Sequence, residues 1–229
     1  MDERLLNAAE RPARHHFIDR PVSWVAMAGF MGAGKSRIGW ELSRRLQLTF
    51  IDTDRVIERV SCMRISEIFE LYGEAVFRDY ETEIVRRCTR LDDVVISTGG
   101  GTVVRPENRA LLVARGPVVV LQASAETIYK RTRRNRRPML EFGDPEERIR
   151  ALMTERTPYY EEVATITVST DGRDSADVVD EIVDGLEAWR EAQEAAQETA
   201  QEAAAEDAAG DGDARDGAED AARDQEDDP

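Results

Sequence analysis

The chain has 229 residues, a formal net charge of −16 and two cysteines, which is room for one compact α/β domain with chain to spare. The charge is unevenly placed: residues 187–229 hold 16 acidic and three basic residues, leaving the first 186 at −3. A body so nearly balanced argues against nucleic acid as a partner, and no apolar run approaches the ~18 residues that a membrane span needs.

Residues 1–20 mix charges of both signs and lack the apolar stretch of a signal peptide, so they read as an N-terminal extension. Cys62 and Cys88 show no metal-ligand spacing and read as reduced thiols in or near the core. A cytoplasmic protein is expected, acting as a monomer on a small molecule, with no nucleic-acid or membrane partner.

An apolar run at 22–28 predicts a first strand, followed by a glycine-rich turn and a helix over 36–46 spaced through Ile38, Leu42 and Leu46. Residues 48–52 read as a short strand ending in acidic residues, and 64–90 as helix with a break at Gly73. The runs at 93–98 (DVVIST) and 117–123 (PVVVLQA) are too apolar to have a wet face, so they belong to a parallel sheet covered on both sides. Residues 164–170 give a fifth strand, and 175–189 an amphipathic helix through Val178, Val179, Ile182, Val183 and Leu186. After Trp189 there is no aromatic or large aliphatic residue, and Glu194, Glu198, Glu202 and Glu206 would stack like charges on one helix face. The chain therefore divides into an extension (1–20), a folded domain (21–190) and an acidic, Ala-rich tail (191–229) expected to be disordered.

Five features carry chemistry. Gly29-Phe-Met-Gly-Ala-Gly-Lys35-Ser36 matches G-x-x-x-x-G-K-[ST] between a strand and a helix, the setting in which backbone N–H groups at a helix N-terminus wrap a phosphate. Lys35 would bridge the β- and γ-phosphates, and Ser36 would ligate Mg²⁺. Alternation in an extended chain would aim Asp52 and Asp54 at the same side, at the carboxyl end of a strand; capping of the next helix is the plainer alternative. Glu81 lies three residues from Arg78 and could hold its guanidinium. Gly99, Gly100 and Gly101 suggest backbone approaching a ligand closely, or a tight turn. Five arginines within 131–137, followed by Arg156, ask for an anion such as a triphosphate.

The phosphate loop, Asp52-Thr53-Asp54, Phe77-Arg78 with Glu81, the triple glycine and Arg137-Pro138-Met139-Leu140, in this order and spacing, resemble the shikimate kinase family across residues 22–186. Gluconate kinases share the loop but not this series. The resemblance implies a nucleoside-monophosphate-kinase-like α/β fold: a five-stranded parallel sheet in order 2-3-1-4-5 flanked by helices. It implies ATP- and Mg²⁺-dependent phosphorylation of the 3-hydroxyl of shikimate, in aromatic amino-acid biosynthesis.

By the same resemblance, Asp54, Arg78, Gly100 and Arg156 would bind shikimate, with Gly99 and Gly101 beside them. Gly32, Ala33, Gly34, Lys35 and Ser36 would cradle the phosphates, Ser36 and Asp52 would organise Mg²⁺, and Arg131 and Arg173 would lie near the nucleotide. Arg137 would come from a lid over ATP and act with Lys35 and Asp54 in catalysis. Where the family commonly has a hydroxyl residue, this chain has Arg37, which is counted with the nucleotide-binding residues. Two other classes stay open: a kinase of another polyol or sugar acid such as gluconate, which would lack the paired arginines, and a non-catalytic ATP-binding protein working through its tail.

Overall fold

The three apolar runs at 22–28, 93–98 and 117–123 form the middle of the sheet. In the computed structural model, which describes residues 20–133 and 144–220, β1 (Trp24–Gly29) is buried along its whole length. It is flanked by β3 (Val94–Ser97) and β4 (Val118–Gln122). β2 (Thr49–Asp52) and β5 (Ile166–Ser169) form the edges, and the parallel order is β2-β3-β1-β4-β5. β3 and the first four residues of β4 are buried as β1 is, because helices cover both faces. The edges differ: β2 is half-buried throughout, and Thr167 and Ser169 of β5 are exposed.

The helices bury the stripes their spacing dictates. α1 (Lys35–Arg45) presents Ile38 and Leu42 to the sheet. α2 (Thr53–Ser61) is capped by Asp52, whose Oδ1 accepts from Arg55 N at 3.2 Å. α3 (Ile65–Cys88) is broken at Gly73, as the sequence predicts, with φ 80° and ψ 173°. α4 (Pro106–Arg115), α5 (Ala125–Thr132) and α6 (Pro145–Val163) follow β3 and β4; Ser124 and Asp144 cap the last two. α7 begins at Ser175 and buries Val178, Val179, Ile182, Val183 and Leu186. Among the described residues no helix is long and apolar enough to cross a membrane.

α7 does not stop at Trp189. It runs to Asp220, so residues 191–220 are helical where the sequence reading expected disorder. Ala, Glu and Gln are strong helix formers, and each exposed like-charge pair at i,i+4 costs only about 0.2–0.5 kcal/mol, so helix survives without an apolar face. Side chains at 191–201 are all exposed. The chain divides into two units, the first ending at Leu186 and the second beginning at Glu187.

Ile182 is fully buried, so Ile182→Ala is expected to lower stability by about 2–5 kcal/mol through lost burial and a residual cavity. Urea denaturation checks this; a change under about 1 kcal/mol would mean that α7 does not close the core.

Candidate active site

Three strand ends deliver the site. The turn after β1 is the phosphate loop, and it is held open by glycine: Gly32 has φ 79° and Gly34, the N-cap of α1, φ 106°. A Cβ on Gly32 would also lie 2.8 Å from Thr132 Cγ2. Lys35 is buried, with Nζ donating to the carbonyls of Gly29 at 2.8 Å and Phe30 at 3.0 Å. Its ammonium is thereby folded back over the loop at the N-terminus of α1, the end of a helix that favours anions.

β2 ends at Asp52, and α2 starts at once. The extended-chain argument for Asp52 and Asp54 therefore fails, because Thr53 and Asp54 are already helical. Both carboxylates still reach the site by another route. Asp52 does two jobs: Oδ1 caps α2, and Oδ2 accepts from Ser36 Oγ at 2.6 Å. Asp54, the second residue of α2, lines a pocket of about 260 Å³ with Glu58, Arg78, Glu81, Gly99–Gly101 and Arg156.

The triple glycine after β3 is there for close approach. A Cβ on Gly99 would meet Glu81 Oε1 at 2.6 Å and Asp54 Oδ1 at 2.8 Å; on Gly100, Met31 N at 2.8 Å; on Gly101, Arg78 Nη1 and Nη2 at 2.5 Å. The loop is thus pressed against the phosphate loop on one side and the acceptor pocket on the other. Tyr160 of α6 fixes it from below by donating to Gly100 O at 2.5 Å. Burial pushes the Tyr160 phenol above its ordinary pKa, so it stays a donor.

Arg78 and Arg156 are 7% and 3% exposed. Arg78 Nη1 donates to Glu81, a carboxylate only 1% exposed, whose Oε1 also accepts from Thr102 Oγ1 at 2.7 Å. Arg78 Nε and Nη2 donate to Glu74 Oε1 at 3.1 and 2.8 Å. Burial opposes the Arg78 charge, and the neighbouring Glu81 and Glu74 more than offset it, raising the guanidinium above its ordinary pKa. Arg156 lies over the Phe30 ring at 5.8 Å and donates to Gly100 O at 3.4 Å.

The nucleotide side is less converged. Arg131 Nη1 reaches Gly32 O at 3.2 Å and Thr170 Oγ1 at 3.0 Å, so its side chain lies against the phosphate loop. Arg37 points elsewhere, to Glu41 at 3.1 Å and Ser175 Oγ at 3.0 Å. Arg173 is engaged by Glu181 and by Ser169 O at 3.3 Å. Arg137 lies outside the described residues. The sequence reading did not name Glu58, Arg64, Phe69 or Glu74, which also line the pocket or its arginine. Phe69 and Phe77, whose rings lie 4.8 Å apart, read as ordinary core in a helical pattern, and nothing in their spacing marks a pocket wall.

The family model described as shikimate kinase matches residues 31–187. The chain belongs to the shikimate kinase family. Shikimate kinase of Deinococcus radiodurans is 57% identical over 172 residues, covering 75% of this chain and 87% of the relative. That of Thermus thermophilus is 50% identical over 171 residues, covering 74% and 92%. Among solved structures, a shikimate kinase from Acinetobacter baumannii in complex with shikimate superposes with a TM-score of 0.68 at 36% identity, covering 70% of this chain and 90% of its own. The match stops at residue 187, so the helix beyond it lies outside the region matched by the family model.

Glu81 and Asp79 are both acidic residues of α3 paired with arginines, but Asp79 is 72% exposed where Glu81 is buried. Glu81→Gln is expected to cost about 3–5 kcal/mol, since it strips a buried cation of its fixed partner. Asp79→Asn should cost under about 1 kcal/mol. Parallel urea denaturation of the two variants decides; equal effects would mean that burial does not govern these pairs.

Proposed function

We propose that the protein phosphorylates the 3-hydroxyl of shikimate with ATP, a step of aromatic amino-acid biosynthesis. The observation that carries this reading is a pocket beside the phosphate loop lined by the Asp54 carboxylate and by two buried guanidinium groups, Arg78 and Arg156, with Glu58, Glu81 and Arg64 also in its lining. Such a pocket suits a small acid bearing hydroxyls: the arginines take its carboxylate, and Asp54 takes a ring hydroxyl.

ATP would lie with its phosphates on the N–H groups of Gly32 to Ser36, and Arg131 would lie along it. The donor set fits Mg²⁺, because the Ser36 hydroxyl and Asp52 carboxylate adjoin at the loop and are hard oxygen ligands. No larger cluster of acidic, His or Cys side chains occurs among the described residues, which agrees with a cation that keeps waters and phosphate oxygens as its other ligands. When bound it would neutralise phosphate charge.

In the reaction, the acceptor oxygen forms a bond to the γ-phosphorus as the bond from phosphorus to the β–γ bridging oxygen breaks, and ADP leaves. Phosphoryl transfer is loose, so positioning and charge neutralisation do most of the work. Asp54 orients the hydroxyl and accepts its proton late. Lys35 leaves the Gly29 and Phe30 carbonyls for the transferring phosphoryl group, and Arg137 would add a second cation there.

A coupled ADP-release assay with shikimate, quinate, gluconate and no acceptor tests the reading. Shikimate alone should support rapid turnover. Arg78→Ala and Arg156→Ala should each raise the KM for shikimate at least about tenfold, from loss of a charge-assisted hydrogen bond. The KM for ATP should hardly change. Equal turnover of shikimate and gluconate, or arginine variants with unaltered KM, would overturn it.

A further inference from the structure

Two carboxylates share the Arg78 guanidinium, and they are held very differently. Glu81 is locked: it is 1% exposed, and Thr102 Oγ1 donates to it at 2.7 Å. Glu74 is 49% exposed, and among the described residues its hydrogen bonds run to Arg78 alone. It also follows Gly73, where α3 is broken at φ 80° and ψ 173° and a Cβ would meet nothing within 4 Å. There is space around this joint, and Glu74 is already open to solvent.

The edge that Glu74 occupies is the significant one. Arg78 Nε–H and Nη2–H point side by side, the two-donor fork that matches the two oxygens of a carboxylate. Glu74 offers the fork a single oxygen, Oε1, at 3.1 and 2.8 Å. In the same pocket, Arg156 Nε is buried and has no hydrogen-bond partner among the described residues. The pocket thus holds one guanidinium edge loosely covered by the protein's own carboxylate and a second guanidinium with donor capacity to spare.

We propose that Glu74 keeps the place of the substrate's carboxylate on Arg78, and that an acid must displace it to bind. This rests on Arg78 being the acceptor's carboxylate site. A third carboxylate could not join Glu81 and Glu74 around one cation without like-charge repulsion, whereas Glu74 can swing to solvent and keep the local charges balanced. The exchange makes Glu74 a specificity-determining residue. An acid that also reaches Arg156 and Asp54 gains enough contacts to win the fork; a simple monocarboxylate trades one carboxylate for another and gains little. The Nε–Nη2 edge of the cation is meanwhile not left uncovered in the empty pocket.

The test compares wild type with Glu74→Gln and Glu74→Asp, by two readouts. Calorimetric titration with cyclohex-1-ene-1-carboxylate, a ring acid without hydroxyls, reads the competition without turnover; steady-state assays read the KM for shikimate. Glu74→Gln should bind the ring acid about fivefold or more tightly and lower the KM for shikimate, because a neutral amide competes poorly for the fork. Glu74→Asp should return both towards wild type. Binding by Glu74→Gln that is unchanged, weaker or undetectable would overturn the proposal, and weaker binding with a raised KM would show that Glu74 merely orients Arg78. If wild type does not turn shikimate over, the proposed function fails, while the titration still decides whether Glu74 is displaced.

Discussion

The Arg78 guanidinium and the Glu81 carboxylate are both buried, and neither is tolerable there without the other. Their pairing ties the second half of α3 to the Gly99–Gly101 loop, since Glu81 also accepts from Thr102 and the Arg78 nitrogens lie where a side chain on Gly101 would be. This side of the pocket is therefore built around a charge pair, with the Phe69 and Phe77 rings packed beside it. Such a wall has little slack. It also fixes the direction of a cation in a place where an acidic ligand can use it.

Topology brings this wall to the nucleotide. In the order β2-β3-β1-β4-β5, β1 lies next to β3, and β3 next to β2. The phosphate loop, the triple glycine and the Asp52–Asp54 turn thus emerge side by side at the carboxyl ends of three neighbouring strands, the general place for ligands in open α/β sheets. Gly100 makes the junction tight: a Cβ there would lie 2.8 Å from Met31 N of the phosphate loop. A donor phosphate and an acceptor hydroxyl can then meet beside this junction, with the chemistry left mainly to positioning.

Much of this was legible in the sequence, for reasons that differ by element. The apolar runs at 93–98 and 117–123 gave buried parallel strands because nothing else buries both faces of a strand. Gly73 gave the break in α3 because glycine takes up the positive φ found there at no steric cost. Asp52 and Asp54 were placed at the site by a wrong argument: the strand ends before alternation can act, and it is a helix N-terminus that positions them. Phe77 was named only as part of its motif, and the lining residues Ile65 and Phe69 were not legible, because an apolar residue facing a pocket and one facing the core have the same spacing. Glu74 was hidden likewise, since its exposed i,i+4 pairing with Arg78 looks like any solvated helix pair. The helix beyond Trp189 was not legible from the missing apolar face and the stacked like charges, because an Ala- and Glu-rich segment can be helical by propensity.

Regiospecific transfer to an acid held by Arg78 and Arg156 is the claim on which the account stands. It is tested most directly by correlating phosphorus with protons in the nuclear magnetic resonance spectrum of the product formed from shikimate and ATP. The account expects one phosphomonoester whose phosphorus couples to the proton on the carbon bearing the 3-hydroxyl. Coupling at either of the other two hydroxyl-bearing carbons, a mixture of esters, or inorganic phosphate alone would contradict it.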